Sequence, residues 1–133
     1  METKKYRYVN FCNEIYEDVV FSSFSENLHV DIDIVKEIVA CRIDFIGNEE
    51  KFYIVDINNL KHISSEAKFY TYNSREGLEN VLACAIIATN PSSTLLANIL
   101  VKTPSEIPFK HFLNKESAVV WIEELKSQSR LSK

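Results

Sequence analysis

Lys51-Phe52-Tyr53-Ile54-Val55-Asp56-Ile57-Asn58-Asn59 is the stretch that decides the fold. Phe52, Tyr53, Ile54 and Val55 follow one another without the apolar–polar alternation of a half-exposed strand. Continuous apolarity over a run this short predicts a strand buried on both faces, as in the centre of a parallel sheet. Asp56, Asn58 and Asn59 then break the run into a polar loop. Val81–Thr89 repeats the pattern, ending at Thr89, Asn90 and Pro91. Two central strands that each leave through a polar loop into a helix imply an α/β fold.

Helices flank both strands. In Asp31–Ile46 the residues Ile34, Ile38, Cys41 and Phe45 fall on one apolar stripe, with Asp31 or Asp33 as the cap. Gly47 stands where a C-terminal residue of positive φ is expected. Ser64 or Ser65 can cap a short helix at Ser65–Tyr72. Asn90 and Pro91 form an N-cap and N1 pair for a helix presenting Leu95, Leu96, Ile99 and Leu100. Asn114 caps the last helix, whose apolar face is Ala118, Trp121, Ile122 and Leu125. Lys5–Asn10 and Ile15–Ser22 read as an antiparallel pair turning at Asn13-Glu14, and Pro108–Phe112 as a final short strand. The predicted order is β-β-α-β-α-β-α-β-α, with a mostly parallel centre and an antiparallel edge.

Composition removes whole classes of function. The chain has 133 residues, a length suited to one domain over residues 1–133 with a core of its own. Its formal net charge is −4, split as −6 over residues 1–50 (five Lys/Arg, eleven Asp/Glu) and +2 over residues 51–133 (ten and eight). An acidic first half argues against a nucleic-acid partner, which demands clustered Lys and Arg. Only two glycines are present, Gly47 and Gly77, so the glycine-rich loops that cradle phosphates are missing. So is the Gly-x-Ser-x-Gly turn of serine hydrolases. Cys12, Cys41 and Cys84 contain no Cys-x-x-Cys pair, and two of them lie in apolar runs, which suits a reducing, cytoplasmic setting. No secretory signal is visible at Met1–Tyr6, and the longest apolar run, Val81–Ala88, is too short to span a bilayer.

The chemistry-bearing residues gather on two loops. In an open α/β sheet, ligands bind beyond the carboxyl ends of the strands. The first loop delivers Asp56, Asn58, Asn59, Ser64 and Ser65; the second delivers Thr89, Asn90, Ser92, Ser93 and Thr94. Both lead into helix N-termini, whose unpaired N–H groups favour an anion. The same residue types are also ordinary caps and turn formers. Cys84 sits inside an apolar strand, which disfavours the thiolate that a Cys–His pair with His62 or His111 would need. His29, His62 and His111 lack the short spacings of zinc sites. These readings predict no enzyme, no metal and no cofactor.

The run Tyr53–Ala67, with Ala85–Asn98 and the ending Pro108–Phe112 followed by Glu116, Ala118 and Trp121, resembles the STAS-like, SpoIIAA-like superfamily, in particular an uncharacterised bacterial branch labelled STAS/SEC14-like. The resemblance covers roughly residues 15–126. It implies a mixed sheet of four to five strands, parallel at its centre and antiparallel at one edge, flanked by about four helices. In the anti-sigma-factor antagonists of this superfamily, an Asp-Ser-Ser-Gly motif carries a phosphorylatable serine at a helix start. The matching positions here are Ser64, Ser65, Glu66 and Ala67, which places Ser65 at the phosphoacceptor and leaves the Asp and Gly of the motif missing. The expected function is a non-enzymatic regulatory module that binds another protein, with a homodimer left open. The alternative is a carrier of a small apolar ligand or lipid, with the helix Thr94–Val101 and Phe69, Tyr70 and Tyr72 as its walls.

Overall fold

The computed structural model describes residues 4–8 and 10–131. In chain order these form β1 (Lys4–Arg7), β2 (Phe11–Tyr16), β3 (Val19–Phe24), β4 (Leu28–Val30), α1 (Ile32–Ile46), β5 (Lys51–Asp56), β6 (Leu60–Ile63), α2 (Ser65–Asn73), β7 (Val81–Ile87), α3 (Pro91–Lys102), β8 (Phe109–Phe112) and α4 (Lys115–Leu131). One six-stranded sheet has the order β1-β2-β3-β5-β7-β8, and β4 pairs with β6 in a separate two-stranded sheet. The β1-β2-β3 edge is antiparallel, whereas β3-β5, β5-β7 and β7-β8 are parallel. The parallel centre and antiparallel edge follow the expected plan.

Two-sided burial of the central strands also holds. Along β5, Tyr53 joins a core on one face of the sheet, while Phe52 and Ile54 join a core on the other. Along β7, Cys84 and Ile86 go with the first core, and Ala83, Ala85 and Ile87 with the second. Val35 and Ile46 of α1, Ala67 of α2, and Ala97 and Leu100 of α3 close the first face. Ala118 and Ile122 of α4 close the second, with Trp121 and Leu125 packed beside them as the apolar pattern predicts.

Three sequence expectations are corrected. Ile15–Ser22, read as one strand, is broken at Glu17-Asp18 into the hairpin β2–β3, and Asn13-Glu14, read as the turn before it, lie within β2. Glu17 takes φ = 55°, an unusual choice for that conformation, so no Asn-Gly signal marked the turn. The main sheet therefore has six strands rather than four or five. Second, α1 buries Val35, Val39 and Ile46, one position round from the predicted stripe, leaving Phe45 exposed. Arg42 belongs to the same inward face, and its charge hid that face from an apolar count. Its guanidinium donates to the carbonyls of Glu76 (2.8 Å), Gly77 (3.0 Å) and Glu79 (3.2 Å), tying α1 to the turn before β7. Third, α3 turns Ser93, Ala97 and Leu100 inward, while Leu95 is 65% exposed and Ile99 43%.

Both glycines are constrained, in different ways. Gly47 ends α1 at φ = 65° and ψ = −133°, a region essentially closed to other residues. Gly77 lies so close to α2 that an added Cβ would run into the Thr71 carbonyl. Gly77→Ala is expected to lower stability by about 2 kcal/mol and Gly47→Ala by about 1 kcal/mol, measured as shifts of the urea midpoint at constant slope. An unchanged midpoint for Gly77→Ala would contradict the close approach.

Candidate functional site

At the exits of β5 and β7 the two polar loops are knotted together by Asn58. Its carboxamide oxygen accepts from the Thr89 N–H (2.8 Å), the Ser93 hydroxyl (2.9 Å) and the Thr89 hydroxyl (3.2 Å). Asn90 caps α3 by accepting from the Ser93 N–H at 2.8 Å, and its amide reaches the Asn58 carbonyl at 3.3 Å. Asp56 accepts from the Asn58 N–H at 2.9 Å and so shapes the turn, while Asn59 donates to the Phe24 carbonyl at 3.0 Å. Asp56, Asn58, Thr89, Asn90 and Ser93 are thus brought into one cluster, and its hydrogen-bonding groups face each other. Ser93 is buried; its bond to Asn58 fixes the rotation of α3, which is why Ala97 rather than Leu95 turns inward. Ser92 lies exposed and Thr94 half-buried on the first turn of α3.

Ser64 and Ser65 are elsewhere. The chain between them and Asn59 is β6, which spans roughly 10 Å at the usual rise per residue. Four residues with Lys61 and His62 exposed carry little apolar signal, so from sequence the segment reads as loop. Ser64 is the N-cap of α2, its hydroxyl accepting from the Ala67 N–H at 3.0 Å. Ser65 is exposed at the first helical position and lines an open groove between α1 and α2 with Ile32, Lys36, Glu66, Phe69 and Tyr70. β4 and β6 also set His29 beside His62, with ring centroids 6.2 Å apart, although among the described residues no three His, Cys, Asp or Glu side chains converge as a metal site.

A second feature lies beneath the helices. A cavity of about 180 Å³ sits between the first face of the sheet and the layer of α1, α2 and α3. Tyr53, Val55, Cys84 and Ile86 form much of its floor, and Val35, Ile38 and Val39 of α1 much of its roof. Lys68, Thr71 and Tyr72 of α2 and Leu100 of α3 complete one wall. Burial pushes the Cys84 thiol up to about 12, so it is protonated at neutral pH and unsuited to nucleophilic attack. Phe69 and Tyr70, expected to wall such a space, lie on the outer groove instead; Tyr72 and Leu100 do line it.

At the far end of the floor, Asn13 and Ser22 face each other across the β2–β3 hairpin, the Ser22 hydroxyl donating to the Asn13 carboxamide oxygen at 2.7 Å. From sequence Asn13 reads as a turn residue, a position where asparagine is common. The signal that could have placed it is the alternation from Phe11 to Ile15, with buried Phe11 and Asn13 on one face of β2.

Comparison with known proteins agrees with this architecture. A family model described as a domain of unknown function (DUF7793) matches residues 13–126. No curated protein matches the sequence. A crystal structure of an uncharacterized protein of the DUF3478 family with a SpoIIAA-like fold, from Shewanella loihica PV-4, superposes with a TM-score of 0.56 at 14% identity, over 90% of this chain and 91% of that one. The SpoIIAA-like fold expected from the sequence is therefore shown. No helix among the described residues is long and apolar enough to cross a membrane.

The Asn58 knot has a measurable weight. Asn58→Leu takes the acceptor from the Thr89 N–H and leaves the buried Ser93 hydroxyl with the Asn90 carbonyl alone (3.1 Å), and is expected to cost about 1 kcal/mol. Asn58→Asp keeps an acceptor for all three donors and should cost less than half as much. Equal losses for the two variants in chemical denaturation would show that the acceptor is not what matters.

Proposed function

We propose that this chain, which belongs to the DUF7793 family of domains of unknown function, is a non-enzymatic binding module that holds a small apolar molecule between its sheet and its helix layer. The observation that carries this reading is the cavity of about 180 Å³ lined by aliphatic and aromatic side chains. A dry apolar cavity of about 150 Å³ is enough to admit benzene. Apolar pockets between sheet and helices are ordinary ligand sites, and their affinity comes from surface removed from water. A protonated Cys84 inside the cavity supports binding rather than chemistry. The polar knot at the sheet edge uses its donors on Asn58 and Asn90, so it supports architecture more than anion capture.

A second reading rests on a separate observation. Phe69 is 70% exposed on α2 and shares the outer groove with exposed Ser65 and with Lys36 of α1. An exposed aromatic in such a groove favours docking of a protein partner. Phosphate on Ser65 would add nearly two negative charges at the α2 N-terminus and so modulate docking, although Glu66 already makes that helix start acidic.

For the first reading, a benzene titration followed by amide NMR is expected to give saturable shifts at Val35, Val39 and Ile86. Val39→Phe, which fills the cavity from α1, should abolish those shifts while keeping the dispersed spectrum of a folded protein. Linear, non-saturating shifts in the wild type would sink the cavity reading. For the second, pull-downs from the native organism with wild-type, Phe69→Ala and Ser65→Asp proteins should recover a partner that Phe69→Ala loses and Ser65→Asp changes. Identical partner sets for the three, with no phosphopeptide at Ser65, would exclude docking there.

A further inference from the structure

The cavity is not uniformly apolar: neutral donors lie on its floor and two cationic side chains at its margin. Asn13 is 6% exposed and sits mid-strand in β2, facing the cavity. Its oxygen is taken by Ser22, which leaves the two N–H groups of its carboxamide without a protein acceptor among the described residues. Tyr53, 7% exposed, also lines the floor, and no acceptor among the described residues takes its hydroxyl proton. Burial pushes that phenol up to about 12, so the proton stays on. The register places both on the same face: Asn13 is opposite Ser22, Ser22 beside Val55, and Tyr53 lies two residues back along β5.

The other polar side chains along the walls are already engaged. The Arg42 guanidinium donates to three backbone carbonyls, the Thr71 hydroxyl to the Ala67 carbonyl (2.9 Å), and the Tyr72 hydroxyl to the Leu100 carbonyl (2.8 Å). Lys68, half-buried on α2, is the remaining cation along the wall. The donors on the floor are neutral, and the positive charges stand at its margin: Lys68, and Arg42, 5.7 Å from the Tyr53 ring centroid with its N–H groups spent on backbone carbonyls. A buried donor is costly to leave unpaired, and a carboxylate is costly to bury beside neutral donors.

We infer that the ligand is a small neutral molecule with an apolar body and a carbonyl oxygen, and that the Asn13 carboxamide N–H groups receive that oxygen. This rests on the reading of the cavity as a ligand site and adds the chemical class of the ligand and the residue that selects it. The Tyr53 hydroxyl, on the same floor, is a second donor available to a ligand with two acceptors. The apolar walls would hold the body of the molecule, and the carboxamide would set its orientation.

A matched pair of probes separates the two claims. Cyclohexanone and methylenecyclohexane have nearly the same shape, and only the first has an acceptor. The wild-type protein, titrated with each by amide NMR, is expected to bind the ketone about five- to tenfold more tightly, the weight of one hydrogen bond. Asn13→Leu, close in size and without polar atoms, should abolish that preference and favour methylenecyclohexane, because the ketone then loses its water without gaining a partner. Tyr53→Phe should retain it. Saturable binding of both probes with no preference in the wild type would overturn the carbonyl assignment while leaving the cavity reading intact; no binding of either would remove both. A preference that survives Asn13→Leu and vanishes in Tyr53→Phe would overturn the role of Asn13. Cyclohexanecarboxylate binding more tightly than cyclohexanone, with the advantage lost in Lys68→Met, would overturn a neutral ligand. Should Asn13→Leu fail to fold, the wild-type comparison between the two probes still decides.

Discussion

Strands β5 and β7 carry apolar side chains on both faces, so neither face can be left to water. The remaining architecture answers that demand, unequally. On the second face the inward residues of β7 include Ala83 and Ala85, and α4 meets them with Ala118 and Ile122. Small residues on both sides let the helix lie close, and one helix suffices. Lys126 holds it there, paired with Asp18 at 2.7 Å and standing over the Phe52 ring. On the first face three helices and the β4–β6 pair share the task, and no single element covers it.

That division of labour accounts for the cavity. Two helices of the first layer bury small residues, Ala67 from α2 and Ser93 and Ala97 from α3. Their anchoring points lie around the margin: Asn58 to Ser93 at one edge, Tyr72 to the Leu100 carbonyl at another, Arg42 to the turn before β7 at a third. Each anchor is a hydrogen bond with its own geometry. A layer fixed at its margins by directional bonds cannot also settle fully onto the sheet, and close packing is lost in the middle. The polar knot and the apolar space are two results of one mode of attachment.

What could be read from the sequence follows from the same physics. Phe52–Val55 and the second apolar run declared themselves, because two-sided burial leaves no polar residue to confuse the pattern. The caps at Asp31, Ser64, Asn90 and Asn114 were legible because each is a local bond to a backbone N–H three residues on. Helix rotation was not legible in α1 and α3. It depends on Arg42 and on Ser93, polar residues whose partners lie 35 positions away in each case. The hairpin was misplaced for a similar reason: Asn13 looks like a turn residue until Ser22 is brought opposite. The two candidate loops were expected to converge, and only the Asn58–Ser93 part does so, because β6 takes Ser64 and Ser65 to another place.

Arg42 and Tyr72 have a bearing on α2 that reaches past packing. Arg42 secures the turn that follows α2, and Tyr72 secures its last turn, whereas its start is held by the Ser64 cap. Between these points its only fully buried residue is an alanine. Freeing the first turns of α2 from the sheet exposes little apolar surface and leaves the central strands intact, so this segment opens at far lower cost than the whole fold. Amide exchange should therefore be slower in β5 and β7 than at Ser65–Lys68. An opening of that kind would reach the cavity past Lys68 and Thr71, which stand on its wall, without disturbing the strands beneath.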